Sequence, residues 1–163
     1  MQIKCLGDKK FEIRTKDIIL LLDGDISVNG FVFPGPGEYE KGGVIINGIA
    51  DGENTIFAFR LEEINVGYMG LISHDLTEDE AKQIGDIDIL FLPLGLEGSA
   101  DMKTALKLLA KIDPKIVIPM LYSDLSEFKK SEGISDGELD ILKIRKADLP
   151  EEERQVIILK RQV

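Results

Sequence analysis

Short apolar runs separated by tight turns fill the first half of the chain and predict a succession of β-strands. Phe11 and Ile13 alternate with Glu12 and Arg14, as expected for a half-buried strand. The stretch 18–22 is apolar throughout, which predicts a central strand covered on both faces. Further strands are predicted over residues 2–6, 43–49, 55–61 and 64–69.

The second half of the chain changes to helical periodicity alternating with buried strands. Thr77 followed by Glu80 fits a capping box, and Gly85 is suited to end that helix. A second helix is predicted over 100–112, with one apolar face made of Met102, Ala105, Leu106, Leu109 and Ile112. We also expect strands over 87–94, 115–120, 139–144 and 155–159, and a short helix over 123–130.

This order of elements favours a mixed α/β sandwich with largely antiparallel sheets. In a doubly wound parallel sheet, helices would alternate with strands from the N-terminal end onward. The chain has 163 residues, which is the size of one domain, and it contains no repeat or interdomain linker. We therefore expect a single domain over residues 1–163.

Charge and composition narrow the classes of partner and compartment. Thirty acidic and 20 basic side chains give a net charge of −10, which argues against a nucleic-acid or anionic-membrane binder. No apolar run approaches the ~20 residues that a membrane span requires, and no signal peptide is visible. The single cysteine, Cys5, cannot form an intrachain disulfide. A cytoplasmic location is the expectation.

The histidine count restricts metal chemistry more than any other feature. A catalytic zinc usually takes three protein ligands, largely His with Asp, Glu or Cys. This chain offers one His, His74, and one Cys. A His-rich zinc centre is therefore excluded for the chain alone, whereas carboxylate binding of Mg²⁺ or Mn²⁺ remains open.

Several segments occur in a characteristic order. Residues 36–40 read Pro-Gly-Glu-Tyr-Glu, and residues 43–49 read Gly-Val-Ile-Ile-Asn-Gly-Ile. Residues 70–77 read Gly-Leu-Ile-Ser-His-Asp-Leu-Thr, and residues 114–120 read Pro-Lys-Ile-Val-Ile-Pro-Met. Together these segments resemble the metallo-β-lactamase fold over about residues 2–122, specifically its small zinc-dependent hydrolase-like branch of the ascorbate-phosphate lactonase type. The resemblance implies a truncated αββα sandwich.

The metal-ligand positions of that family carry other residues here. The family's His-x-His-x-Asp-His loop should lie between Asp23 and Phe33, and the next ligand His should follow Ile49, but neither segment contains His. The bridging Asp falls at Leu71 and the final His at Leu121. The resemblance therefore implies the fold without the family's zinc chemistry: no metal site, no cofactor site and no catalytic residue at these positions.

Asp23 and His74 are the remaining weak candidates for catalysis. His74, beside Asp75, is either a general base or a loop residue that hydrogen-bonds the backbone near a helix start. Asp23 follows an apolar strand and has either a role in a carboxylate cluster for Mg²⁺ or ordinary turn chemistry. The other members of that cluster would be Asp25, Glu38 and Glu40.

Two classes of function follow. The sequence favours a non-catalytic, metal-free domain that acts as a binding or self-association scaffold, as a homodimer or with a related protein subunit. The alternative is a divergent hydrolase of a small phosphorylated or lactone-like substrate, with Mg²⁺ or Mn²⁺ as cofactor. A closed, apolar cleft near Leu71 and Leu121 would favour the scaffold, and an open cleft lined by acids would favour the enzyme.

Overall fold

The computed structural model describes residues 1–134 and 137–162 and builds them around two β-sheets. In the first sheet, β1 to β5 are Gln2–Cys5, Phe11–Arg14, Ile19–Asp23, Asp25–Val28 and Phe31–Phe33. A late two-residue strand, β13 (Leu142–Lys143), pairs with β1. These six strands are antiparallel throughout, in the order β13-β1-β2-β3-β4-β5.

The second sheet has seven strands and mixes both orientations. It contains β6 (Gly37–Lys41), β7 (Val44–Asp51), β8 (Asn54–Leu61), β9 (Ile64–Tyr68), β10 (Ile89–Pro93), β11 (Ile116–Met120) and β14 (Gln155–Val156). Strands β6 to β9 are antiparallel, whereas β9, β10, β11 and β14 run parallel. A separate parallel pair joins β12 (Glu138–Leu139) to β15 (Ile158–Leu159).

The described residues also form three α-helices, α1 (Glu78–Ile84), α2 (Met102–Ile112) and α3 (Ser126–Glu132), and two short 3-10 helices, Leu96–Gly98 and Lys146–Asp148. The predicted capping box of α1 is confirmed, because Thr77 and Glu80 each accept a hydrogen bond from the other's backbone N–H. Gly85 ends α1 with a φ of +71°. None of the described helices is long and apolar enough to cross a membrane.

The core has two layers. Between the sheets, the Phe11 and Phe91 rings approach with centroids 4.6 Å apart. On the other side of the seven-stranded sheet, Ile84, Leu109 and Phe128 bring the three helices into one cluster with strand residues. The predicted α/β sandwich of mixed, largely antiparallel sheets is thus confirmed, and the three α-helices all lie against the seven-stranded sheet.

Strand β3 differs from its prediction. Leu20 and Leu22 are fully buried, but Ile19 is 38% exposed and Leu21 is half-buried. Because the buried residues of the described helices all pack on the other sheet, the outer side of β3 faces solvent. The prediction of a strand covered on both faces is therefore wrong: an apolar run cannot by itself distinguish a covered strand from one with exposed apolar side chains.

Candidate functional site

A cavity of about 710 Å³ opens at one end of the sandwich, where β3 and β7 end and β8 begins. Three turns or loops supply its lining: the β3–β4 turn, the β7–β8 turn and the segment after β9. The lining residues are Gly24, Asp25, Asp51, Gly52, Glu53, Asn54, Thr55, Leu71, Ser73 and His74. The cleft therefore carries three carboxylates and the chain's single imidazole.

One carboxylate of the cleft is in direct contact with that imidazole. His74 Nε2 is hydrogen-bonded to Asp51 Oδ1, and His74 Nδ1 lies 2.7 Å from the carbonyl oxygen of Asp75. The carboxylate of Glu80, on the first turn of α1, completes a group whose ligand atoms all lie within 4.8 Å of one another. Among the residues that the structure describes, this is the one cluster of three or more potential metal ligands.

The hydrogen bonds of His74 determine which of its ring nitrogens carry hydrogen. A carbonyl oxygen can only accept, so Nδ1 carries a hydrogen. The hydrogen bond to Asp51, and secondarily the bond to the Asp75 carbonyl, raise the pKa of His74 above its usual value. Because both ring nitrogens are engaged, His74 cannot accept a proton from a substrate in this arrangement. The arrangement instead suits a cationic ring beside Asp51, or a ligand once Nε2 has lost its proton.

Asn54 holds Asp51, one member of the cluster, in place. Its amide nitrogen donates to Asp51 Oδ2 at 3.0 Å and to the carbonyl of Met69 at 3.1 Å, and its Oδ1 accepts from Leu71 N at 2.9 Å. Gly70 allows this approach, since its φ is +59° and a Cβ there would lie 2.3 Å from Asn54 Oδ1. Asn54 is not among the candidates predicted from the sequence, although its position directly opposite Asp51 in the β7–β8 hairpin is a usable signal.

The β3–β4 turn is fixed from beneath by a buried tyrosine. The Tyr68 hydroxyl accepts from Gly24 N at 2.9 Å and donates to the carbonyl of Lys9 at 2.9 Å. Burial raises the pKa of Tyr68 well above its usual range, so the phenol stays neutral and keeps both bonds. The position of Asp25 in the cleft depends on this turn.

Of the four acids predicted from the sequence as a carboxylate cluster, only Asp25 lines the cleft. Asp23 lies on the solvent side of β3, where its Oδ2 is 3.9 Å from Lys10 Nζ. Unlike Asp25, it does not line the cleft. Glu38 and Glu40 lie on β6 in the other sheet, where Glu40 accepts from Gly43 N at 3.0 Å. Within residues 1–134 and 137–162, these four carboxylates form no common site.

Leu71 and Leu121 occupy different surroundings. Leu71 is half-buried and lines the open cleft, but Leu121 is buried beside a smaller cavity of about 90 Å³ together with Cys5. Leu121 has a φ of +53°, a left-handed conformation that costs a residue with a Cβ roughly 1–2 kcal/mol. Its N–H donates to the carbonyl of Asp8 at 2.9 Å. Burial raises the pKa of the Cys5 thiol, as expected for a core residue.

One family model matches most of this chain, and solved structures share its fold. The model of the beta-lactamase superfamily domain matches residues 13–121. A solved structure from Thermotoga maritima, a candidate Zn-dependent hydrolase of the metallo-beta-lactamase superfamily, is 23% identical with a TM-score of 0.78, covering 98% of this chain and 100% of that chain. No curated protein matches the sequence.

Two further structures share the fold at lower identity. A metallo hydrolase from Ignicoccus hospitalis is 13% identical with a TM-score of 0.63, covering 88% of this chain and 99% of that chain. A candidate metal-dependent hydrolase from Parabacteroides distasonis is 14% identical with a TM-score of 0.52, covering 96% and 100%. At these identities the likenesses establish the fold.

Proposed function

Because this chain belongs to the beta-lactamase superfamily, we propose that it is a divergent hydrolase that works with one divalent cation held by Asp51, His74 and Glu80. The observation that carries the proposal is the position of this cluster beside an open, acid-lined cavity of about 710 Å³. The cation is of the Mg²⁺ or Mn²⁺ class, and the substrate is a small phosphorylated or lactone-like molecule.

The zinc pair that the family implies does not fit this chain. Leu71 and Leu121 stand where the resemblance places two ligands, and an alkyl side chain has no donor atom. Leu121 is also buried away from the cleft lining. A pair of zinc ions needs several imidazoles, and one is available.

A single cation fits the donor set better. Metal ligands lie about 3–3.5 Å apart around an ion with bonds of about 2 Å, so three ligand atoms within 4.8 Å of one another are close to the spacing that one ion requires. The Asn54 amide orients Asp51, and the Asp75 carbonyl orients His74, as outer-shell groups do at metal sites. One imidazole with carboxylates and water suits Mn²⁺, and Mg²⁺ tolerates the same oxygens.

The cation would supply a Lewis acid and activate water for hydrolysis. The chain's own residues decide what can enter: Asp25 and Glu53 make the cleft negative, so an anionic substrate binds only when the cation offsets their charge. Asn54, which donates to Asp51 Oδ2, would keep the orientation of that carboxylate fixed. A ligand imidazole must be neutral, so cation binding would displace a proton from His74 to solvent, and the affinity should rise with pH.

Hydrolysis of bis(4-nitrophenyl) phosphate and 4-nitrophenyl acetate tests the proposal, with Mn²⁺ added to protein stripped by EDTA. We expect Mn²⁺-dependent turnover that EDTA abolishes. Asp51→Asn and His74→Ala should each lower kcat/KM about 100-fold or more. Asp79→Asn is the matched control, because Asp79 is an exposed acid on α1 outside the cluster.

Circular dichroism melting of each variant separates lost chemistry from lost fold. Two results would contradict the proposal: turnover that survives EDTA, or folded His74→Ala protein that binds Mn²⁺ as tightly as the wild type in calorimetry. Absence of both Mn²⁺ binding and turnover in the wild type would also reject it.

A second candidate function is a metal-free scaffold that self-associates, or that joins a related subunit. It is supported by Phe31 and Val32, which are 55% and 52% exposed on β5, the edge strand of the six-stranded sheet. Apolar edge strands are potential pairing surfaces. Light scattering after size exclusion should then give a dimer mass that Val32→Lys reduces to the monomer. A monomer at every concentration, with no co-purifying subunit, contradicts the scaffold.

A further inference from the structure

A second cavity, of about 470 Å³, has a charge balance opposite to that of the whole chain. Acidic residues outnumber basic ones by 30 to 20 in the sequence. In this cavity the basic side chains are in excess: Arg14, Lys16, Lys143 and Arg145 line it against Glu62 and Asp148.

Strand register places the basic groups side by side. Gln2 on β1 lies directly opposite Lys143 on one neighbouring strand and Arg14 on the other. Residues directly opposite across a sheet have Cβ atoms about 5 Å apart and project from the same face. Lys16 enters from the β2–β3 connection, and Arg145 follows β13. The side-chain amide of Gln2 therefore has a basic residue on each side, Lys143 and Arg14.

Two of these charges are uncompensated. Arg145 is held by Asp148 at 3.1 Å, and Arg14 by Glu12 at 3.2 Å. The carboxylate of Glu62 is engaged by the amino group of Met1 at 2.7 Å. Lys16 and Lys143, in contrast, form no ion pair with any residue that the structure describes, so both ammonium groups are available to an incoming anion.

The basic cavity is separate from the acid-lined cleft. Lys16 precedes the start of β3, whereas the cleft begins at Gly24, after β3 ends. The same holds for β8, whose first residue Asn54 lines the cleft and whose last residue Leu61 adjoins Glu62. Along the five residues of β3 alone the separation is about 16 Å.

We propose that this cavity binds a small ligand of the di- or polyphosphate class, anchored by Lys16 and Lys143. Gln2 donates to the same ligand from between the strands that carry Lys143 and Arg14. A diphosphate matches two free ammonium groups better than a single carboxylate does. The volume suits a compact molecule, and the cations are confined to one cavity rather than extended along a stripe as in nucleic-acid grooves.

Calorimetry with inorganic pyrophosphate on metal-free protein tests this site. We expect binding that the double variant Lys16→Ala/Lys143→Ala weakens about tenfold or more. The matched control is Lys103→Ala/Lys107→Ala, which removes two exposed lysines from α2 and should leave the affinity unchanged. Melting temperatures of both double variants report on folding.

The NMR signal of His74, the only histidine, distinguishes this site from the cleft. Pyrophosphate should leave that signal unchanged. Four results would overturn the proposal: no binding by the wild type, equal loss of affinity in the control, displacement of the His74 signal, or tighter binding of an RNA oligonucleotide. None of these results depends on whether the cleft hydrolyses a substrate.

Discussion

His74 is bonded at both ring nitrogens, and its titration reports directly on that geometry. In EDTA-treated protein we expect the pKa of His74 to lie above the ordinary value of about 6.5. Asp51→Asn should lower it, because the largest cause of the shift is the hydrogen bond to the Asp51 carboxylate. Heteronuclear NMR across a pH series measures it without ambiguity, because there is one histidine.

The raised pKa of His74 also makes the stability of the folded protein depend on pH. A pKa raised by folding stabilises the folded state fully below the unfolded-state pKa, and this stabilisation fades as the pH rises through the folded-state pKa. The difference in free energy of unfolding between the wild type and Asp51→Asn should therefore shrink slightly as the pH rises through the folded-state pKa of His74. A His74 pKa at or below its ordinary value would contradict the ion pair.

The partners of His74 could not be predicted from the sequence. The His74–Asp51 contact joins residues 23 positions apart, and the acceptor from His74 Nδ1 is the Asp75 backbone rather than its side chain. No local periodicity encodes such a contact, because it depends on how β7, β8 and β9 register against each other. The sequence identified His74, but the structure was needed to place Asp51, Glu80 and Asn54 around it.

Among the helices and strands, the features that depend on residues close in sequence were predicted correctly. The α1 cap was predictable, because Thr77 and Glu80 interact within one turn. The apolar face of α2 was predicted in part: Ala105 and Leu109 are buried, but so is Leu108, which was not assigned to it. The short strands β12 and β13 were predicted as one strand. They are separate because β12 pairs with β15 and β13 pairs with β1, and both partners are distant in sequence.

The β8–β9 turn offers a test of backbone strain. Glu62 and Glu63 both have positive φ, 50° and 64°, as in a type I′ turn that favours Asn-Gly. Glu63→Gly should relieve about 1–2 kcal/mol of strain, less the entropy that glycine adds to the unfolded chain. We expect the free energy of unfolding of Glu63→Gly, measured in urea, to exceed that of the wild type by about 0.5–1 kcal/mol.

The control for that turn is Lys107→Gly, in the interior of α2, which should destabilise the protein by about 1 kcal/mol. Opposite signs for the two glycine substitutions identify the cause as local backbone conformation. Equal destabilisation by both would show that Glu63 is not strained.

For the whole molecule, Arg154 links three parts of the chain that are distant in sequence. Its guanidinium contacts Asp113 at 2.8 Å, Glu132 at 3.4 Å and the carbonyl of Pro114 at 3.2 Å. It therefore ties the segment before β14 to the C-terminal ends of α2 and α3. Its side chain is 21% exposed, so solvent screens it only in part.

Arg154→Ala should lower the free energy of unfolding by about 2 kcal/mol, because several charge-assisted hydrogen bonds are lost together. Arg154→Lys should recover little, since an ammonium cannot reproduce the planar fork. The control Arg161→Ala removes a 65% exposed side chain with one partner at 4.0 Å and should change stability by less than ~0.5 kcal/mol. Chemical denaturation measures all three, and similar losses for Arg154→Ala and Arg161→Ala would contradict the linking role.

Strand β13 has a consequence for handling the protein. Its two residues, Leu142 and Lys143, pair with Ile3 and Gln2, and Gln162 N donates to the carbonyl of Cys5 at 2.8 Å. These few late residues are what shields β1, whose open backbone groups would otherwise recruit strands from neighbouring molecules. Truncation or proteolytic nicking before residue 142 should therefore seed precipitation and shorten shelf life, even where the opposite end of the sandwich is intact.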